Sequence, residues 1–216
     1  MGGCTFSRNR TGSYIRRKVV PTNPASSFQT EKRGRFASLV ILWTTVLTPT
    51  QRASWDSWAN ATEQSGWGGK VYKMTGQNAY IAMNTMRLER DYGPINEPPP
   101  HYSSCQLTPP VITKADVSDQ EISFNINVAD EWAILDNAGL CCYVGRPQNP
   151  SVNYFKGPYR FAFAFSGSGG NPLTNPRISS TPFHFALGQR VFCQFRAQAE
   201  DGRISVATRS TIIAVA

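Results

Sequence analysis

The spacing of apolar residues changes its period once along this chain of 216 residues, and that change limits the fold more than any other feature. Before the proline-rich stretch at 94–102, apolar residues recur every three or four positions, which is the period of a helix. After Pro110 they alternate with polar residues, which is the period of a strand. Helices followed by strands predict an α+β fold in which the two kinds of element are segregated.

Three helices are predicted in a helical region at 26–93. The first, at about 28–46, has an apolar face that consists of Phe36, Leu39, Val40, Trp43 and Leu47. The second begins at the capping box Thr48-Pro49-Thr50-Gln51, and the third, at about 76–91, follows Thr75. Because the first two helices are separated by about one capping residue, we expect them to form a helical hairpin, as a tight antiparallel or bent pair.

The residues from 94 to the end are predicted to form a linker and an all-β domain. Pro98-Pro99-Pro100 indicates a stiff, polyproline-like linker at 94–110. About seven short strands at 111–216, separated by turn residues, predict an antiparallel sandwich of the immunoglobulin or fibronectin type III kind. Strands are expected at the apolar runs 122–128, 140–144, 159–165, 191–197, 204–207 and 211–215.

The net charge of +8 is concentrated in the first quarter of the chain. Residues 1–52 have nine basic residues and one acidic residue, whereas the 13 basic and 13 acidic residues of 53–216 cancel. Residues 1–25 are basic and have few apolar side chains, so we predict that they form an extended arm that becomes ordered on a partner. Two short strands, at 5–7 and 14–15, are expected to flank a turn at 9–12.

Three roles of the arm remain open on the sequence: a solvated tail, a nucleic-acid contact in which Phe6 and Tyr14 stack on bases, and a docking arm that crosses acidic neighbouring subunits. We favour docking. Tryptophan is enriched at interfaces, although the four tryptophans of the helical region could equally form its own core. The predicted assembly interface comprises Phe6, Arg8, Arg10, Tyr14, Ile15, Arg16, Arg17, Lys18, Trp43, Trp55, Trp58 and Trp67.

The reactive residue types are too sparse to indicate a catalytic or metal site. The chain has only two histidines, His101 and His184, and its five cysteines lack the paired spacing of a zinc site. An odd number of cysteines implies no disulfide framework, and Cys141, Cys142 and Cys193 are expected to be core residues of strands. We therefore expect no enzymatic activity, no cofactor and no bound metal.

Long motifs are spread over most of the chain. They are the segments at 2–14, which includes Thr-Phe-Ser-Arg-Asn-Arg, and at 21–24, 47–59, 75–80, 146–161 and 188–192. In these segments the chain resembles a group of uncharacterised proteins encoded by tailed phages, prophages and environmental viral genomes. The resemblance implies a virion structural protein, and it transfers no binding residues.

In that context we predict a capsid decoration or cement protein that is assembled in the host cytoplasm. Its expected partners are the major capsid protein or tail and neck proteins, in a homo-oligomeric or symmetric assembly, with nucleic acid less favoured. No membrane partner is expected, because the longest apolar run, 36–47, is too short to span a bilayer. The alternatives are a tail or neck protein, and a receptor- or glycan-binding module that uses Tyr154, Phe155 and Tyr159.

Overall fold

The structure is a computed structural model that describes residues 3–9, 12–19, 22–65 and 71–216. The chain combines helices with several antiparallel sheets, and most of its regular elements are strands. The prediction of a mixed chain with antiparallel sheets is confirmed at this level. The chain divides into two compact units, Met1–Gly34 and Arg35–Ala216.

The first unit contains a two-stranded antiparallel hairpin. Strand β1, Cys4–Asn9, pairs with β2, Gly12–Arg17, and the backbone N–H of Lys18 extends the ladder by donating to the carbonyl of Gly3 at 2.8 Å. We refer to β1 and β2 as the N-terminal hairpin. Both strands are longer than the two short runs predicted from the apolar residues, because polar and basic residues also take part in the ladder.

Three helices begin near the residues that the capping patterns indicate: α1, Ser27–Thr45; α2, Pro49–Ala61; and α3, Gly76–Glu89. At the start of α2, Thr48 Oγ1 accepts from the Gln51 N–H at 3.2 Å, and Gln51 Oε1 accepts from the Thr48 N–H at 2.9 Å. Thr75 caps α3 in the same way, by accepting from the Asn78 N–H at 3.2 Å. Two short strands, β3 (Gln64–Ser65) and β4 (Val71–Tyr72), pair between α2 and α3.

The helices share one apolar core. The ring of Tyr80 on α3 lies 5.5 Å from the ring of Trp43 on α1 and 5.5 Å from that of Trp55 on α2. Leu39 and Trp55 are fully buried in this cluster. The third predicted helix therefore joins the first two in one core, because α3 supplies the tyrosine on which both tryptophans pack.

The remaining strands form two antiparallel sheets. The three-stranded sheet has the order β5-β6-β9, with bounds Val111–Asp116, Glu121–Asn125 and Arg177–Ser180. The four-stranded sheet has the order β11-β10-β7-β8, with bounds Thr208–Ile213, Arg190–Gln198, Gly139–Gly145 and Tyr159–Ser166. A short helix, α4 (Glu131–Ile134), lies between β6 and β7 along the chain.

Both sheets contribute to one core, as the period of two predicts. The Phe124 ring on β6 lies 5.5 Å from that of Phe163 on β8 and 5.2 Å from that of Phe195 on β10. Cys142 and Cys193 are fully buried in the same cluster and are free thiols. Phe124, Phe163 and Phe195 thus pack between the two sheets, where burial of their side chains stabilises the fold.

The strand predicted at 204–207 is wrong. The turn at Asp201-Gly202 is present, with Gly202 at a φ of 95°, but only an isolated bridge joins Gln198 to Ile204. The hydroxyl of Ser205 accepts from the Ala197 N–H at 2.8 Å, so a side chain takes the place of a backbone carbonyl in the ladder. Regular pairing resumes only at β11.

The segment 94–110, predicted as a linker, is hydrogen-bonded to the helices through residues between 95 and 101. Trp55 Nε1 donates to the carbonyl of Asn96 at 2.7 Å, and Trp58 Nε1 donates to that of His101 at 3.2 Å. The buried amide of Asn84 accepts from the Ile95 N–H at 2.8 Å. Because the indole N–H groups and an asparagine fix its backbone, this segment lies inside the second unit and does not separate two units.

Candidate assembly interface

The N-terminal hairpin presents an apolar pair on one face. Phe6 and Ile15 are directly opposite each other in the register, so their side chains share a face. Phe6 is 77% exposed and Ile15 is 61% exposed. Arg8 and Arg17 lie on the same face at the two neighbouring register positions, because strand side chains alternate. The face therefore consists of two apolar side chains between two guanidinium groups.

The opposite face is also basic and carries one aromatic residue. Tyr14 pairs with Ser7, and Arg16 pairs with Thr5. Among the described residues, no carboxylate forms an ion pair with Arg8, Arg16, Arg17 or Lys18, and all four side chains are exposed. The first acidic residue of the whole sequence is Glu31. The hairpin thus has a positive charge that no acidic residue of its own segment neutralises.

Of the predicted interface, the structure brings six residues together on this hairpin. They are Phe6, Arg8, Tyr14, Ile15, Arg16 and Arg17, and Lys18 follows directly after β2. Arg10 and Trp67 lie outside the described residues. A two-stranded hairpin is marginally stable in water, so added pairing or burial on a partner would stabilise it.

The three described tryptophans of the predicted interface are core residues instead. Trp43 is 9% exposed, Trp55 0% and Trp58 6%. The rings of Trp55 and Trp58 lie 6.3 Å apart at an angle of 64°, and both indole N–H groups are used within the chain. This corrects the prediction that these tryptophans anchor a partner, because an anchor must be accessible before it binds.

The aromatic residues considered for glycan binding do meet on the four-stranded sheet. The Phe155 and Tyr159 rings pack edge to face at 5.3 Å, and Arg209 lies 5.8 Å from the Tyr154 ring and 5.7 Å from the Tyr159 ring. Tyr159 donates its hydroxyl to the carbonyl of Phe155 at 3.0 Å, and burial raises its pKa. Only Tyr154, at 68% exposure, presents most of its ring to solvent.

A buried polar network between the helices and the four-stranded sheet has no signal in the sequence. The side chain of Gln198 donates to the Met83 carbonyl at 2.8 Å and accepts from Arg90 Nη2 at 3.3 Å. Arg87 Nη1 donates to the carbonyl of Glu200 at 3.1 Å, and burial lowers the pKa of both arginines. These partners are more than 100 residues apart, so no local pattern marks them.

A second group that the sequence did not reveal consists of ion pairs around Arg203. Its guanidinium binds Asp201 at 2.6 Å and Glu131 at 2.5 Å. Burial alone would lower the pKa of Arg203, but the hydrogen bonds and charges of these two carboxylates together outweigh it and raise the pKa. Nearby Cys105 is buried, and desolvation raises the pKa of its thiol to about 12. Both carboxylates are therefore engaged in holding one guanidinium group.

Two other classes of site are relevant to the described part of the chain, a metal site and a membrane-spanning helix. Within residues 3–9, 12–19, 22–65 and 71–216, no three histidine, cysteine, aspartate or glutamate side chains lie close enough together to hold a metal ion. In the same ranges, no helix combines the length and the apolar character that crossing a bilayer requires.

Comparisons of the chain with protein-family models, with curated proteins and with solved structures found no match.

Proposed function

We propose that this protein is a non-enzymatic structural protein of a tailed-phage virion and that it docks through its N-terminal hairpin. The observation that carries the proposal is the exposed Phe6–Ile15 pair, which lies between arginines on a strongly basic hairpin. The motifs that resemble tailed-phage proteins provide the virion context.

The chemistry of the hairpin favours an acidic protein surface as its partner. Burial of Phe6 and Ile15 would contribute about 3–6 kcal/mol in total before the costs of association are subtracted. An aliphatic side chain such as Ile15 does not stack on bases as an aromatic ring does, whereas an apolar groove in a protein accommodates both residues. The free strand edges of the hairpin can also add to a neighbouring sheet.

Within the virion, we propose the capsid surface as the site and the tail or neck as the alternative. A basic arm without a core of its own suits a protein that lies across the subunits of a shell, where many copies add avidity. The two locations differ in copy number. Hundreds of copies per particle support the capsid, whereas about 6 to 12 copies indicate a closed tail or neck ring.

For residues 111–216 we propose an immunoglobulin- or fibronectin-type sandwich that serves as a neutral platform. Its support is the strand order, since seven strands form a three-stranded sheet β5-β6-β9 and a four-stranded sheet β11-β10-β7-β8 over one core. Along the chain, β8 is the fourth of these seven strands, and it pairs with β7 in the four-stranded sheet. This pairing favours a fibronectin type III sandwich over an immunoglobulin one.

The docking role is tested with two hairpin variants in assembled particles. One replaces Phe6 and Ile15 with aspartate, and the other replaces Arg16, Arg17 and Lys18 with glutamate. We expect both proteins to fold and to be lost from purified particles, as measured by quantitative mass spectrometry of particle proteins. Incorporation of both variants at the wild-type level would refute docking through the hairpin.

Matched controls separate a local effect from a general change in charge or polarity. Lys73→Glu with Arg146→Glu and Lys156→Glu makes the same change in charge at exposed residues of the second unit. Val128→Asp with Leu187→Asp introduces the same polarity at two exposed apolar positions. Both controls are expected to be incorporated normally. If the glutamate variant of the hairpin instead loses only salt-dependent binding to DNA, the arm is a nucleic-acid contact.

A further inference from the structure

A cleft of about 740 Å³ lies within the second unit, between the C-terminal end of α2 and the turn that follows β10. Its volume is within the range of sites for small organic ligands, roughly 300–1,000 Å³. Residues from separate parts of the chain line it, among them Glu63, Tyr72, Tyr102, Arg196 and Arg203. No pattern in the sequence connects these residues.

Two tyrosines provide exposed aromatic surface in the cleft. Tyr72 on β4 is 51% exposed, and Tyr102 is 63% exposed. Hydrogen bonds hold the two residues that flank Tyr102. The carbonyl of His101 accepts from Trp58 Nε1 at 3.2 Å, and the hydroxyl of Ser103 accepts from Arg203 Nη1 at 3.4 Å. A tyrosine between two such bonded residues offers a flat apolar face and a polar hydroxyl to a ligand that has both kinds of surface.

The cleft also contains an acceptor and a donor that are free to bind. Glu63, just beyond the end of α2, and Arg196, on β10, are both exposed. Neither side chain has a hydrogen-bond partner among the residues that the structure describes. A carboxylate only accepts hydrogen bonds and a guanidinium only donates them. Together they match a ligand whose hydroxyl groups can do both.

The charge balance around the cleft disfavours anions. Arg203 is held by Glu131 and Asp201, so its charge is more than balanced within the protein. With Glu63 and Arg196 included, three carboxylates oppose two guanidinium groups, which leaves a net charge of −1. Phosphate, sulfate and nucleic acid would therefore meet no excess of positive charge here, in contrast to the N-terminal hairpin.

We propose that this cleft binds a short neutral oligosaccharide, whose ring faces stack on Tyr102 and Tyr72 and whose hydroxyl groups bond to Glu63 and Arg196. A sugar ring has a flat face of C–H groups and a rim of hydroxyls, which is the combination that the cleft offers. The site is independent of docking through the hairpin, because every residue named belongs to the second unit.

The test uses the full chain and a panel of soluble neutral hexasaccharides built from glucose, mannose, galactose or N-acetylglucosamine. Sialyllactose and a heparin hexasaccharide serve as anionic probes, and saturation-transfer NMR followed by titration measures binding. We expect at least one neutral probe to bind and both anionic probes to fail. Tyr102→Ala should weaken the neutral probe by about tenfold or more, which corresponds to about 1.4 kcal/mol.

Tyr154→Ala is the matched control, since Tyr154 is exposed to a similar extent but lies beside Arg209, which also contacts the ring of Tyr159. It should bind as the wild type does, and Tyr102→Phe should retain most of the affinity because the ring remains. Glu63→Gln, at an exposed position, should weaken binding without loss of folding, as checked by circular dichroism. The hairpin variants at Phe6 and Ile15 should bind normally.

Three results would overturn the proposal. The first is that no neutral probe in the panel binds. The second is that the anionic probes bind in preference. The third is that Tyr154→Ala abolishes binding while Tyr102→Ala does not, which would assign sugar binding to the Tyr154 cluster. None of these outcomes affects docking through the hairpin, so the two proposals fail separately.

Discussion

Gln198 is the residue whose replacement tests most directly whether the helices and the sheets unfold together. Its side chain is fully buried and makes three hydrogen bonds, to the Met83 carbonyl at 2.8 Å, to the Gly202 carbonyl at 3.0 Å and from Arg90 at 3.3 Å. Alanine would leave two buried carbonyls and a buried guanidinium without these partners. The two neutral bonds are worth about 0.5–1.5 kcal/mol each and the charged one about 1.5–3 kcal/mol.

We therefore expect Gln198→Ala to lower the free energy of unfolding by about 3–5 kcal/mol, a large part of the total stability of a typical domain. Urea denaturation is followed by tryptophan fluorescence and by far-ultraviolet circular dichroism. Fluorescence reports mainly on the helical region, where four of the five tryptophans lie, whereas circular dichroism also reports on the sheets. Both signals should shift together, because the second unit is compact and the network joins its two parts.

Gln194→Ala on the same strand is the control, because Gln194 is half-buried and its side chain has no hydrogen-bond partner among the described residues. It should change the free energy of unfolding by less than about 1 kcal/mol. Two separate transitions, of which only one moves in Gln198→Ala, would refute the view that helices and sheets form one cooperative unit.

Two further predictions concern a glycine pair and the thiols. Gly76→Ala should destabilise the chain in urea denaturation, because a Cβ atom would come within 2.6 Å of the Asp56 backbone nitrogen. Gly34→Ala, by contrast, should stabilise α1 by up to about 1 kcal/mol, because the space around Gly34 is open. If the two alanines have the same effect, the close approach of α2 to the start of α3 is wrong. A thiol reagent at pH 8 should label only Cys4 rapidly, since it is the exposed one of the five cysteines and burial raises the pKa of Cys105 to about 12. Rapid labelling of a second thiol in the folded protein, measured by mass spectrometry, would contradict the burial of Cys105, Cys141, Cys142 and Cys193.

The parts of the fold that depend on local chemistry could be predicted from the sequence. The capping box at Thr48 and the cap at Thr75 marked the starts of α2 and α3, because a side-chain oxygen and a backbone N–H three residues apart determine them. The alternation at 159–165 marked β8, and Phe163 and Phe165 of this strand pack against the core. A bulge between Cys142 and Tyr143 instead places Phe161 against Tyr143, outside that core cluster. The turn at Asp201-Gly202 is also correct, because Gly202 takes a positive φ there, although the strand expected after it is absent.

The parts that depend on distant partners could not be predicted. The proline run suggested a linker, but two indole N–H groups that lie more than 40 residues earlier hold its backbone on the helices. The tryptophans suggested an interface, but Tyr80 and Asn96 provide their partners inside the chain. The candidate interface was predicted in its residue types, since basic and apolar residues cluster at 6–18, whereas the cleft at Tyr102 is assembled from segments that no motif links.

The hydrogen bonds between the proline-rich segment and the tryptophans limit the positions at which recombination can join this gene to another. A crossover near codon 100 would join helices to a foreign β region, and the new chain would lose the contacts of Gln198 with Met83 and of Arg87 with Glu200. A crossover near codon 34 would separate the two compact units and leave those contacts intact. We expect natural mosaics and engineered chimeras to preserve residues 35–216 as a block and to vary the hairpin in front of it.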